Sequence, residues 1–391
     1  MIIAHIADVH LGCRHLNSDA RERDFYDAWL AAIRKIVERK ADAMTIGGDL
    51  FHGRVLRPET LAVAREGLAL LDIPVYAVHG THDWALHSTR KTWLDVLEDA
   101  GLLRVLGRGL DFEQVCIEPV SRVYLWGMSN AGYREREVLG DIARSPVCDG
   151  EAVILLCHIG VTDAKLGVPG GIAAREFEPL SAAFDAVLTG HFHARWSNGF
   201  VYNPGPLDFT SLSDGDGGIY FYDTVAKMAD FVARESFLPS RQRLRVQVSG
   251  LTEGPWEVEG VQPGAIWHIT LDDPYPRALV ERAIEHYEPL RVLLSYAASQ
   301  GPGEVIAEGE TQSVAALEMA VLRAEMGDDD EAAAAYEILQ AVIRQGEPEE
   351  VMELLWQNDK GGQGGKISGH DQHRGPSSDP VPGGSAERPK G

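Results

Sequence analysis

The chain has 391 residues, 45% of them apolar, enough to bury one large core with smaller ones beside it. Its formal charge of −23 excludes attachment to nucleic acid by bulk charge alone, although acids outnumber bases 18 to 7 beyond residue 300, so nearly half of that charge lies there. Four cysteines without CxxC spacing exclude a disulfide framework, and no stretch reads as a leader or a membrane span; a cytoplasmic or nucleoid-associated location is expected.

Short apolar runs at Ile2–Ala7, Ala43–Ile46, Pro74–Val78, Ala152–Cys157 and Ala186–Leu188 read as buried strands. Between them lie helical patterns. Arg23–Lys40 sets Phe25, Trp29, Ala32, Ile33 and Ile36 at helical spacing, Pro58–Leu71 starts with a proline where a missing N–H costs little, and Lys91–Ala100 follows. This alternation predicts a layered α/β domain. Val123–Met128, Gly218–Thr224 and Met228–Glu235 are expected to form a second sheet, giving two sheets packed face to face with helices outside. After Leu238–Pro239 the pattern changes. Arg243–Val248, Ala265–Leu271 and Arg291–Tyr296 read as strands and Pro276–Tyr287 as a helix, a small α+β module. Ser313–Met326, Asp330–Gln345 and Pro348–Trp356 read as helices, and the Gly-, Pro- and Ser-rich remainder as a disordered tail. The expected division is therefore 1–235, 236–300, 313–357 and 358–391.

Each core run leads into a polar motif: DVHLG at Asp8–Gly12, GGDLF at Gly47–Phe51, GTHD at Gly80–Asp83, LLCHIG around His158 and GHFH at Gly190–His193. Strand C-termini are where open α/β sheets place their sites. Two-residue spacing is expected to put Asp8 with His10, and His191 with His193, on one face of a strand. Taken singly, each motif has an ordinary explanation as a turn carboxylate, a surface histidine or a helix cap. In ordered conjunction they supply enough carboxylates and imidazoles to hold two divalent metals around a shared carboxylate. The leading expectation is hydrolysis of a phosphate ester. A donor set of Asp and His suits manganese, iron or zinc better than magnesium, and leaves Cys13 and Cys157 as core residues.

These motifs resemble the DxH, GD, GNHD, H and GHxH signature of the calcineurin-like metallophosphoesterases. The opening MIIAHIADVHLG and the stretch GGDLFHGRVLRPETL resemble, more narrowly, the SbcD and meiotic recombination eleven family of double-strand-break repair nucleases. The motifs cover residues 8–193; the later regions match only in order and size a DNA-capping module and an ATPase-docking segment. The resemblance implies that Asp8, His10, Asp49 and His193 hold one metal, and that Asp49 bridges to a second completed by His158 and His191. It implies two divalent ions, manganese first among them, and His82 as the catalytic histidine beside the leaving group. It also implies exonuclease and endonuclease activity, with DNA, an SMC-like ATPase of the SbcC type and a second copy of the chain as partners. Such a metal pair lowers the pKa of bound water, and an imidazole can deliver the proton that the departing sugar oxygen needs. Asp83 is expected either to orient a nearby imidazole or to cap a helix.

One position departs from the family. Thr81 stands where an asparagine amide would bind the second metal, and a hydroxyl reaches less far. Arg14, Arg54, Arg90, Lys91 and Arg195 flank the motifs and are candidates for phosphate contacts. Ala335, Ile338, Leu339 and Val342 form one apolar helical stripe, and Val351, Leu354 and Leu355 another, ending at Trp356; both suit either docking on a coiled coil or internal packing. Two other functions compete: a small-molecule phosphodiesterase or phosphatase of the same superfamily, and a non-catalytic scaffold joining an ATPase to DNA.

Overall fold

The computed structural model describes residues 1–84, 91–118, 122–145, 150–164, 171–248, 255–271 and 277–296. The expected helices over 313–356, the expected tail over 358–391 and the candidate Arg90 lie outside the described residues. In chain order the first elements are β1 (Ile2–Ile6), α1 (Asp19–Glu38), β2 (Ala43–Ile46), α2 (Pro58–Ala69), β3 (Val75–Ala77), α3 (Trp93–Asp99) and β4 (Arg104–Val105). There follow β5 (Phe112–Glu118), β6 (Val123–Met128), α4 (Glu135–Arg144), β7 (Ala152–Cys157), β8 (Ala186–Leu188), β9 (Trp196–Ser197) and β10 (Val201–Asn203). Then come β11 (Gly218–Asp223), β12 (Met228–Ala233), β13 (Arg243–Val248), β14 (Ile266–Leu271), α5 (Arg277–Ile284) and β15 (Arg291–Tyr296).

Two six-stranded sheets face each other, in the orders β12-β11-β1-β2-β3-β4 and β5-β6-β7-β8-β10-β9. Side chains alternate across a strand, so each central strand serves two cores. Ala4 and Ile6 of β1 pack with Trp29, Ile33 and Ile36 of α1, while Ile3 turns inward to meet Ile154 and Leu156 of β7 between the sheets. Val153, Leu155 and Cys157 of β7 face outward onto Val138, Leu139 and Ile142 of α4. The result is helices, sheet, sheet, helices. Among the described residues no helix is long and apolar enough to cross a membrane.

The sheet memberships correct one expectation. Gly218–Asp223 and Met228–Ala233 return to the first sheet, where β11 pairs antiparallel with β1 (Ile3 opposite Tyr222), and only β6 of the three expected strands lies in the second. Ile219 and Phe221 bury against the α1 core and Tyr220 and Tyr222 against the other sheet, a two-sided apolar pattern that suits an inner strand beside β1. Helix α1 also begins earlier than its apolar spacing suggests. Ser18 accepts the Arg21 N–H at 3.4 Å and caps the first turn. The third helix starts at a capping box, with the Thr92 hydroxyl accepting the Asp95 N–H and the Asp95 carboxylate accepting the Thr92 N–H.

Strands β13, β14 and β15 form a separate parallel sheet, and α5, between β14 and β15 in the chain, packs with a buried Trp267. Arginines tie it to the rest. Arg241 grips Asp24 of α1 with two hydrogen bonds of 2.7 and 2.8 Å, and Arg243 and Arg245 donate to the carbonyls of Asp214 and Leu212, both at 2.8 Å.

Candidate metal centre

The motif loops gather at the C-terminal ends of β1, β2, β3, β7 and β8, the central strands of both sheets. The chain leaves these strands in an unusual way. Asp8, His10, Asp49 and His191 have φ of 52°, 50°, 52° and 88°, in the left-handed region that residues with a side chain rarely adopt. Asp8 and His10 therefore do not lie on one face of a strand as their spacing suggested; they sit in a turn beyond Ile6. The two histidines of GHFH likewise diverge. His193 turns toward His10, whereas the ring of His191 lies 4.9 Å from that of His158. Such strained turns concentrate at functional sites.

Among the described residues, three sets of donor atoms lie within 4.8 Å of one another: Asp8 with His10 and His193, Asp8 with Asp49 and His158, and His10 with His52 and His82. Asp49 reaches both sides, its Oδ2 lying 3.5 Å from His158 Nε2 and 3.9 Å from His10 Nε2. His191 falls outside these sets, but its N–H binds both oxygens of Asp8 at 3.1 and 3.0 Å.

Two features fit this cluster to cations. His10 Nε2 and His193 Nε2 stand 3.0 Å apart, with His193 Nε2 also 3.9 Å from Asp8 Oδ1, so two ring nitrogens and a carboxylate converge on one point. His158 Nε2 is fully buried without a hydrogen-bond partner, because Nδ1 donates to the Gly47 carbonyl at 2.7 Å. The electrostatics agree. Against the effect of burial, Asp49 and Asp8 raise His158 to about 10, and His158 and His10 hold the Asp49 carboxyl well below the usual range. Burial and its cationic neighbours lower His191 to about 3. The cluster thus favours positive charge at one place and neutral imidazole around it.

His82 is exposed at the rim. Its Nδ1 donates to the His52 carbonyl at 2.6 Å, its main-chain N–H binds Asp49 Oδ1 at 2.8 Å, and its ring packs edge-on against His10. Thr81 donates its hydroxyl to Asp49 Oδ2 at 3.2 Å, so its side chain faces the carboxylate between the two donor sets. Asp83 does neither of the things expected of it. It accepts the main-chain N–H groups of Asp49, Gly80 and Phe51 at 2.7, 3.0 and 3.2 Å, pinning the second and third motifs together. Burial, then the charge of Asp49, pushes its carboxyl up to about 7.

Two residues of the cluster escaped the sequence reading. His52 lies one residue beyond GGDLF and places Nδ1 3.3 Å from His10 Nδ1; an added imidazole so near Asp49 was a usable signal. Asp214 binds His193 Nδ1 at 2.9 Å from 21 residues away, which no local pattern reports. Of the candidate phosphate contacts, Arg14 pairs with Asp19 at 2.7 Å, Lys91 pairs with Asp99, and Arg195 stacks over Phe231, while Arg54 is exposed. Burial pushes the thiols of Cys13 and Cys157 up to about 12, as suits core residues.

Comparison with known proteins agrees with this architecture. Residues 1–195 match the model of the calcineurin-like phosphoesterase family, and the chain belongs to the calcineurin-like metallophosphoesterases. Within that class it is similar to proteins named Mre11. It is 39% identical over 159 residues to the DNA double-strand break repair protein Mre11 of Archaeoglobus fulgidus, an alignment covering 37% of this chain and 33% of that one. The protein of the same name from Methanocaldococcus jannaschii is 39% identical over 222 residues, covering 55% of this chain and 57% of that one. That of Methanosarcina mazei is 28% identical over 270 residues, 65% of this chain and 41% of the other. The chain thus spans between a third and three-fifths of the length of these relatives.

Proposed function

We propose that this chain is a metal-dependent nuclease that hydrolyses phosphodiester bonds of DNA in double-strand-break repair. The observation that carries the reading is the meeting of two donor sets on Asp8, bridged by Asp49, with His82 tethered beside them. Asp8, His10, Asp49 and His193 would hold one divalent ion; Asp49, His158 and His191 would hold a second, with Thr81 next to it. Manganese is the expected metal. When bound, the ions supply a Lewis acid for the phosphate and a water ionised near neutral pH.

The side chains do the rest. His158 presents Nε2 because Nδ1 is committed to the Gly47 carbonyl. His82 Nδ1 is committed to the His52 carbonyl, so the proton for the departing sugar oxygen would come from Nε2 of the imidazolium form, leaving the neutral ring with its proton on Nδ1. Residues 1–235 would be the catalytic unit and 236–300 a module capping the DNA. The apolar stripes between 330 and 356 would dock on an SMC-like ATPase, and the active form would be a homodimer. The test is digestion of labelled duplex DNA with manganese, with and without the ATPase. Cleavage that disappears with chelator supports the nuclease. Hydrolysis of a small phosphodiester with no action on duplex or single strands would favour the small-molecule enzyme, and no hydrolysis of either would favour the scaffold.

A further inference from the structure

His193 is held by a side chain from a distant loop, and that loop is held in turn by the β13 sheet. The Oδ2 atom of Asp214 receives four bonds: from His193 Nδ1 at 2.9 Å, the Thr210 N–H at 2.8 Å, the Thr210 hydroxyl at 2.9 Å and the Ser211 N–H at 2.9 Å. The Thr210 hydroxyl also lies 3.0 Å from His193 Nδ1 and, having donated to Asp214, can only accept from the ring. Every group facing Nδ1 is therefore an acceptor. The ring must carry its proton on Nδ1 and present the Nε2 lone pair to His10 and Asp8.

The turn that carries Asp214 is braced from outside. Arg243 of β13 donates to the Asp214 carbonyl at 2.8 Å and lies over the Phe209 ring at 4.4 Å, and Arg245 donates to the Leu212 carbonyl at 2.8 Å. Arg21, fully buried, also holds this loop, 4.0 Å over Phe209 and 2.9 Å from its carbonyl.

We propose that Asp214 is a positioning residue that sets the tautomer and aim of His193, and that Arg243 of the small parallel sheet holds Asp214 in place for that task. This rests on the metal-centre reading above. Its consequence is that metal affinity depends on a residue outside the two main sheets. A side chain that orients a ligating histidine is worth about ten- to a hundredfold in metal affinity.

The experiment is calorimetric titration of the full metal-free chain with manganese alone, using wild type, Asp214→Ala, Asp214→Glu, Arg243→Ala and His10→Ala. Thermal unfolding in chelator checks that each variant folds. Nitrogen-15 NMR of the imidazoles reads the His193 tautomer in the metal-free protein. Asp214→Ala is expected to weaken one manganese step by about ten- to a hundredfold and to release His193 from its single tautomer. Asp214→Glu should recover part of the affinity, and Arg243→Ala should weaken the same step by a smaller factor. Wild-type affinity and a wild-type tautomer in Asp214→Ala would overturn the proposal. Should His10→Ala also bind manganese like wild type, or wild type bind none, the metal-centre reading itself would fall.

Discussion

His158 and His193 present the same ring nitrogen to the centre, but the fold holds them by different means. His158 follows β7 directly, is completely buried, and is oriented by the Gly47 main-chain carbonyl at the end of β2 in the facing sheet. His193 lies in a turn, is partly exposed, and is oriented by the Asp214 carboxylate, which arrives with a loop braced by another sheet. The first arrangement follows from the packing of one sheet on the other and rests on the main chain at position 47, where a Cβ would run into the buried His5 ring. The second is a chain of side chains that single substitutions can break. One half of the centre is thus built by the sheets, and the other is adjustable from outside them.

Asp49 belongs to both halves, so its loss should erase the distinction. In Asp49→Ala both manganese steps are expected to weaken, and phosphodiester hydrolysis to fall by roughly a thousandfold or more, about 4 kcal/mol of transition-state stabilisation. Metal analysis beside single-turnover cleavage would check this; loss confined to one step would show that Asp49 does not bridge. His82 belongs to neither half. His82→Ala is expected to lower hydrolysis by roughly a hundredfold or more while metal content stays near wild type. A variant that also lost its metal would make His82 a ligand.

The asymmetry also explains what the sequence could disclose. The central strands β1, β2, β7 and β8 are nearly continuous apolar runs, because both faces are buried, and their ends mark the motif loops with little ambiguity. The expectation that Asp8 and His10 share a strand face failed because both adopt left-handed φ, a turn that strand periodicity does not anticipate. The assignment of β11 and β12 failed because pairing with β1 is a contact across more than two hundred residues, and nothing local distinguishes one sheet from the other. Helix α4 carries Val138, Leu139 and Ile142 at helical spacing, so its signal was present and unread. Asp214 lies at the other extreme. It sits in a DGDG turn that looks like solvent-facing loop, and its role appears only when the fold brings Thr210, His193 and Arg243 around it.

The sheet-built half can be challenged through the main chain. Gly48 has φ of 89°, and a Cβ there would run into the His158 ring. Gly48→Ala is expected to displace that imidazole and weaken the manganese step that depends on His158 by about tenfold, leaving the His193 step close to wild type. Calorimetry on Gly48→Ala and Asp214→Ala together would show whether the two halves fail independently. If both variants weakened the same step, the division drawn between them would be wrong.

The smallest effect is expected at Thr81, where the chain departs from the family pattern. Its hydroxyl donates to Asp49 Oδ2 at 3.2 Å, so the side chain already faces the shared carboxylate. An asparagine amide reaches one atom further and offers a carbonyl oxygen, a better donor to a hard cation than an alcohol. Thr81→Asn should therefore tighten the His158-dependent step by about fivefold, roughly 1 kcal/mol, the worth of an ordinary added polar contact. The gain should be visible in cleavage at limiting manganese and vanish at saturation, where that position is already filled. It should leave the His193-dependent step unchanged, since the proposed function places Thr81 beside the second ion. Titration and cleavage curves that both coincide with wild type would mean that the threonine serves the centre as well as an amide does.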